Sequence, residues 1–147
     1  MEIIEAIYII NGENQLIFSY EGLNDRADNF DYSNITRFFS VIKTFALKIG
    51  EKEAKIIELG NSKIFKTLDD EYNIEVILKC NKNVKEKKAS INLTKVLNYF
   101  INSFIGYFNS STQEKKERIE YFIKEISFML SKRGKMNYFL ENIKIFP

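Results

Sequence analysis

Three carboxylates, Asp25, Asp28 and Asp31, recur at intervals of three in one polar segment of the 147-residue sequence. Oxygen donors of this kind suit Ca²⁺ or Mg²⁺. An EF-hand loop also needs a glycine at its sixth position and a glutamate at its twelfth, and this spacing provides neither. Solvation of an acidic loop is the simpler reading, and Asp69-Asp70-Glu71 reads as a turn for the same reason. Cys80 is the one cysteine. Lys79 and Lys82 lie close to it in sequence and could favour a thiolate. The chain has no histidine, which removes Ser-His-Asp and Cys-His catalysis and any imidazole ligand. A buried structural thiol is therefore the default for Cys80. The six glycines are scattered, with no G-x-x-x-x-G-K-[ST] and no G-x-G-x-x-G to cradle a phosphate. The residues predict no catalytic group, no cofactor and no metal.

Charge is more informative. The net charge is only +2, but residues 1–74 hold 8 basic and 13 acidic groups, and residues 75–147 hold 14 and 7. Lys79, Lys82, Lys85, Lys87 and Lys88 form the densest cluster, and Lys132, Arg133 and Lys135 form a second. Lys82, Lys85, Lys87 and Lys88 are the candidate contacts for an anionic surface. The plainer alternative is a solvated loop and a helix end. Nucleic acid is disfavoured, since no aromatic RNP-type strand accompanies the lysines.

These groups need a scaffold, and the apolar pattern supplies one. With 45% hydrophobic and 14% aromatic residues the chain can build a core of single-domain size. Glu2 to Ile10 reads as a strand buried on both faces, Asn11-Gly12-Glu13-Asn14 as a turn, and Gln15 to Tyr20 as a second strand. Leu16, Phe18 and Tyr20 are expected on one face of that strand. Ile35, Phe38, Phe39, Ile42, Phe45, Ala46 and Ile49 repeat at helical spacing, ending at Gly50. A meander follows over Ala54 to Leu59, Lys63 to Thr67 and Tyr72 to Cys80. A lysine-rich connection then leads to a helix through Leu93, Val96, Leu97, Phe100, Phe104, Tyr107 and Phe108, widened by Ile101 and Ile105. Ser111 and Glu114 fit a capping box for the next helix, which carries Ile119, Phe122, Ile123, Ile126, Met129 and Leu130. Met136 to Pro147 is apolar enough to dock rather than hang in water.

Strand-strand-helix-strand-strand-strand-helix-helix implies an α+β fold in three layers. The expected sheet has five strands, mostly antiparallel, in the order 2-1-5-4-3. One helix covers one face and two cover the other. The second and third strands are left as edges. Off the core faces, Val41 and Leu47 on the first predicted helix and Ile57 on an edge strand are the candidate protein-contact residues.

The element order resembles a longin domain, and so does the local sequence. IYIINGENQLIFSY is similar to the opening hairpin, NITRFFSVIKTFALKIGE to the first helix and its glycine stop, and AKIIELGNSKIFKTLDDEYNIEVIL to the meander. The likeness spans residues 1–130 and is nearest to small longin-like proteins of archaea. Roadblock domains open with a helix, whereas this chain opens with a strand. No SNARE heptad segment follows. On this resemblance residues 1–135 are a longin-like (profilin-like) domain and residues 136–147 a docked extension.

The resemblance implies a non-enzymatic interaction module. Its partner would be a small Ras-like GTPase or another longin or roadblock subunit, in a homo- or heterodimer or a membrane-trafficking assembly. The alternatives are a basic surface for anionic lipid or nucleic acid, with peripheral membrane contact, and, last, a small metal- or carboxylate-dependent enzyme. The N-terminus lacks a basic n-region before its apolar run, and cysteine is scarce, so a cytoplasmic location is expected.

Overall fold

The computed structural model describes residues 4–22, 56–59 and 61–144. The helix expected over Ile35 to Ile49 lies outside them, as do Asp25, Asp28, Asp31, Val41 and Leu47.

Strands β1 (Ile4–Ile10), β2 (Leu16–Glu21), β3 (Ile56–Leu59), β4 (Ser62–Asp69) and β5 (Ile74–Asn81) precede helices α1 (Glu86–Phe104) and α2 (Thr112–Ile126). A 3-10 turn, Ser127–Met129, ends α2, and a sixth strand, β6 (Lys135–Tyr138), follows. The sheet order is β3-β4-β5-β1-β2-β6, and every pairing is antiparallel. The α+β class and the five-strand order expected of a longin-like fold are present. The sixth strand is new, and it corrects one expectation: β2 is not an edge, because β6 pairs along it from Phe18↔Tyr138 to Glu21↔Lys135.

Why β1 takes the centre follows from its residues. Its Ile-rich run has no polar face, so only a position covered on both sides satisfies it. Ile4, Ile7 and Ile9 enter one apolar cluster, and Ala6, Tyr8 and Ile10 enter another on the opposite face. The β1–β2 register slips between Ile9 and Ile10, where Ile9 faces Phe18 but Ile10 faces Leu16. Ile17 is the additional residue of this bulge. The bulge overturns the expectation that Leu16, Phe18 and Tyr20 share a face. Leu16 joins Tyr8 and Ile10, whereas Phe18 and Tyr20 join the larger cluster with Ile17.

That larger cluster lies under the helices. Val96, Phe100 and Phe104 of α1 meet Ile119, Phe122 and Ile126 of α2 over Val76 and Leu78 of β5. Phe122 stands edge-on to both Phe18 and Phe100, at 5.4 Å between centroids in each case. Such T-shaped pairs align ring edges with ring faces. Arg118 of α2 ties the hairpin together. Its Nε donates to the Ser103 carbonyl at 2.6 Å, and its guanidinium lies between Tyr107 and Tyr121. The last turn of α1 contains no basic residue, so Arg118 provides the donor that its free carbonyls need. Ser111 caps α2 by accepting from the Glu114 N–H at 3.2 Å, as its sequence predicts. Ile105 does not widen the α1 face. The helix ends at Phe104, Gly106 turns the chain at φ 82, and Ile105 is left exposed.

Candidate functional site

The meander delivers β3 to one margin of the sheet. Among the described residues β3 pairs with β4 alone, in the register Ile56↔Phe65 to Leu59↔Ser62. Ile57, the candidate contact residue, stands opposite Ile64 in this strand. Its neighbour Ile56 is exposed. An edge strand presents unpaired backbone donors and acceptors, and apolar side chains beside them favour a partner strand over water. The other margin, β6, reads Lys-Met-Asn-Tyr and is the more polar of the two.

The basic cluster takes a definite shape. Lys82 sits in the turn after β5, with its N–H donating to the Asn61 carbonyl at 3.0 Å. Lys85 is the N-cap of α1 and makes no side-chain capping bond. Lys87 and Lys88 are not in a connecting loop, as the pattern suggests, but in the first turn of α1. All four are exposed. Lys79, by contrast, is buried in β5 and has left the cluster. The one acid in the first turn of α1 is Glu86, whose carboxylate lies 3.8 Å from Lys63, as does that of Glu58.

Two shallow depressions flank these lysines. One, of ≈ 270 Å³, is polar and lined by Glu58, Ser62, Lys63, Lys82 and Asn83. The other, of ≈ 380 Å³, runs along α1 between Lys87, Ser90, Ile91, Thr94 and Lys95. Its surface is almost wholly carbon. Sequence reasoning did not single out Ile91, Lys95 or Phe128. Ile91 falls between the core positions Ala89 and Leu93, and Phe128 reads as a continuation of α2. The signal for Phe128 is the phase of α2, whose buried positions Ile119, Phe122 and Ile126 leave residue 128 off the core stripe.

Cys80 is buried, and its thiol is pushed up to about 12 by burial and then by the Glu5 carboxylate. The lysine effect expected from sequence is outweighed, and the thiol stays protonated. Among the described residues no three His, Cys, Asp or Glu side chains gather to hold a metal ion. Among them too, no helix is long and apolar enough to cross a membrane.

No protein-family model matches the chain. No curated protein matches it either. Among solved structures it is similar to MglB of Myxococcus xanthus, with a TM-score of 0.43 and 19% identity over 65% of this chain and 84% of that one.

Proposed function

We propose that the chain is a cytoplasmic longin-like protein-interaction module that pairs through the β3 edge. In this reading it binds or regulates a small Ras-like GTPase, or serves a membrane-trafficking assembly, beside a second longin or roadblock subunit. The observation that carries the reading is the asymmetry of the sheet margins. The β2 margin is closed by the chain's own β6, whereas among the described residues β3, reading Ile-Ile-Glu-Leu, is the last strand on its side. The longin resemblance of residues 1–130 suggests which kind of partner would use it.

The test is affinity capture from source-cell lysate, with GDP or a non-hydrolysable GTP analogue, for the unaltered chain and for Ile56→Lys and Ile57→Lys variants. Recovery of a small GTPase or a longin or roadblock subunit, lost in either variant, is the expected outcome. Capture of the same partners by all three chains overturns the β3 assignment. Capture of none of these classes overturns the module reading.

A further inference from the structure

We propose that the first half of α1, together with the Phe128 turn, is a docking face for an anionic lipid bilayer. Lys82, Lys85, Lys87, Lys88 and Lys95 are all exposed there. Among the described residues none of them lies within ion-pairing distance of a carboxylate. Glu86, the one acid between residues 82 and 95, is held toward Lys63. Four of the five lysines gather at the start of α1. That is the end where the helix dipole is positive and repels cations. The helix therefore gains nothing from placing them there, and an external anion would relieve the repulsion.

The apolar residues specify what kind of anion. Ile91 is 47% exposed and Phe128 is 66% exposed, the most exposed large apolar side chain of the described residues. Ile91 lies one turn before Lys95 on α1, and the Lys95 ammonium stands 5.9 Å from the Phe128 ring centre. Lys87, Ile91 and Lys95 follow one another at four-residue spacing along the carbon-lined depression. The Lys87–Lys95 span is about 12 Å of helix. Lysine stems can lie along such a surface while their ammonium groups reach outward. Cations around protruding apolar side chains match a headgroup layer above acyl chains. A nucleic acid would use the lysines but give Ile91 and Phe128 no role. It would also favour arginine forks, and residues 82–95 contain no arginine. The exposed apolar groups stand out from a shallow surface rather than line a deep cleft, which favours a bilayer over a protein side chain. None of these residues belongs to β3, so this face and the proposed protein edge can be tested separately.

Vesicle co-sedimentation of the full chain tests the proposal. The probes are phosphatidylcholine vesicles and phosphatidylcholine–phosphatidylglycerol vesicles. Soluble polyglutamate and a non-specific RNA serve as competitors. Binding is expected only with phosphatidylglycerol present, weakening as salt rises. Each lysine near the surface contributes about fivefold in affinity, so the Lys87→Ser/Lys88→Ser double variant should bind on the order of 25-fold more weakly. Phe128→Ser should weaken vesicle binding while leaving its salt dependence in place. Circular dichroism of both variants should match the parent, since the altered side chains are exposed. Failure to bind phosphatidylglycerol vesicles would overturn the proposal. So would unchanged binding by both variants, or displacement from vesicles by polyglutamate or RNA with Phe128→Ser behaving as the parent.

Discussion

The backbone N–H of Ser131 donates to the phenol oxygen of Tyr20 at 3.0 Å, joining two residues 111 positions apart. Tyr20 is fully buried on β2. Its ring also occupies the space where a Cβ on Gly134 would fall. The segment entering β6 is thus laid against one tyrosine, which needs both its hydroxyl and a neighbour without a side chain. Gly134→Ala should cost about 1–3 kcal/mol, the range for overpacking a close-fitted site. Tyr20→Phe keeps the ring and loses the hydrogen bond, at about 1 kcal/mol. Urea unfolding of both variants measures the two losses. Equal stability of parent and Gly134→Ala would mean that the ring is free to move.

Beyond β6 the chain is held a second time. Asn142 Nδ2 donates to the Leu16 carbonyl at 2.7 Å, and Asn11 Nδ2 donates to the Asn142 carbonyl at 2.9 Å. Asn11 also accepts from the N–H groups of Glu13 and Gln15, closing the β1–β2 turn. Asn142→Ala leaves the Leu16 carbonyl without this donor and should cost about 1–3 kcal/mol. Hydrogen exchange locates the effect. The Phe139 amide, bonded to the Ile17 carbonyl at 2.8 Å, should lose protection in the variant. The α2 amides should exchange as before at low denaturant. Uniform loss of protection across both would show that β6 does not open separately.

These contacts explain why the sheet was legible in the sequence only as far as five strands. The Ile run of β1, the Asn-Gly turn and the alternation of Ile74, Val76 and Leu78 are local patterns. The two apolar patterns dictate burials, and the turn a chain reversal, that the structure contains. β6 has no such pattern. Lys135, Met136 and Asn137 are exposed, so the strand exists because β2 offers a margin and Tyr20 and Asn11 fix the approach. The Ile17 bulge is equally invisible, since one additional residue inverts the facing of Leu16 without altering composition. For the candidate site, the lysines could be found by counting. Their place at the wrong end of a helix dipole could not be, because the lysine run hides where α1 starts. Val41 and Leu47 fall outside the described residues, and Ile57 is placed only as a β3 position.

Charged residues on β4 and β5 give a further prediction. Lys66 and Glu75 are both buried, and the ammonium lies 3.3 Å from Glu75 Oε1. That oxygen accepts no hydrogen bond among the described residues. Removing one member of a buried pair leaves the other charge with less compensation, whereas replacing both by apolar groups removes the desolvation cost. Glu75→Leu should destabilise by about 3–5 kcal/mol. The Lys66→Met/Glu75→Leu double variant should recover most of that loss. A double-mutant cycle from thermal or urea unfolding supplies the coupling. Additive single effects would show that the two side chains act independently despite their distance.

Cys80 connects the fold to pH. Its thiol ionises near 9.0 when unfolded and is pushed up to about 12 in the folded chain, first by burial and then by Glu5. Between those values the unfolded chain has released a proton that the folded chain keeps. The folded form is therefore favoured below the unfolded pKa, and that contribution is lost as pH rises through the folded one. The slope reaches about 1.4 kcal/mol per pH unit. Cys80→Ala removes this dependence. The stability gap between parent and variant should shrink from about pH 8 to about pH 10, when both are unfolded in urea at each pH. The native thiol should also react with an alkylating reagent only as fast as the chain opens, because a protonated, buried sulfur is a poor nucleophile. Alkylation rates that ignore denaturant, or a gap that stays constant with pH, would place Cys80 in contact with water and contradict its burial in the β5 core.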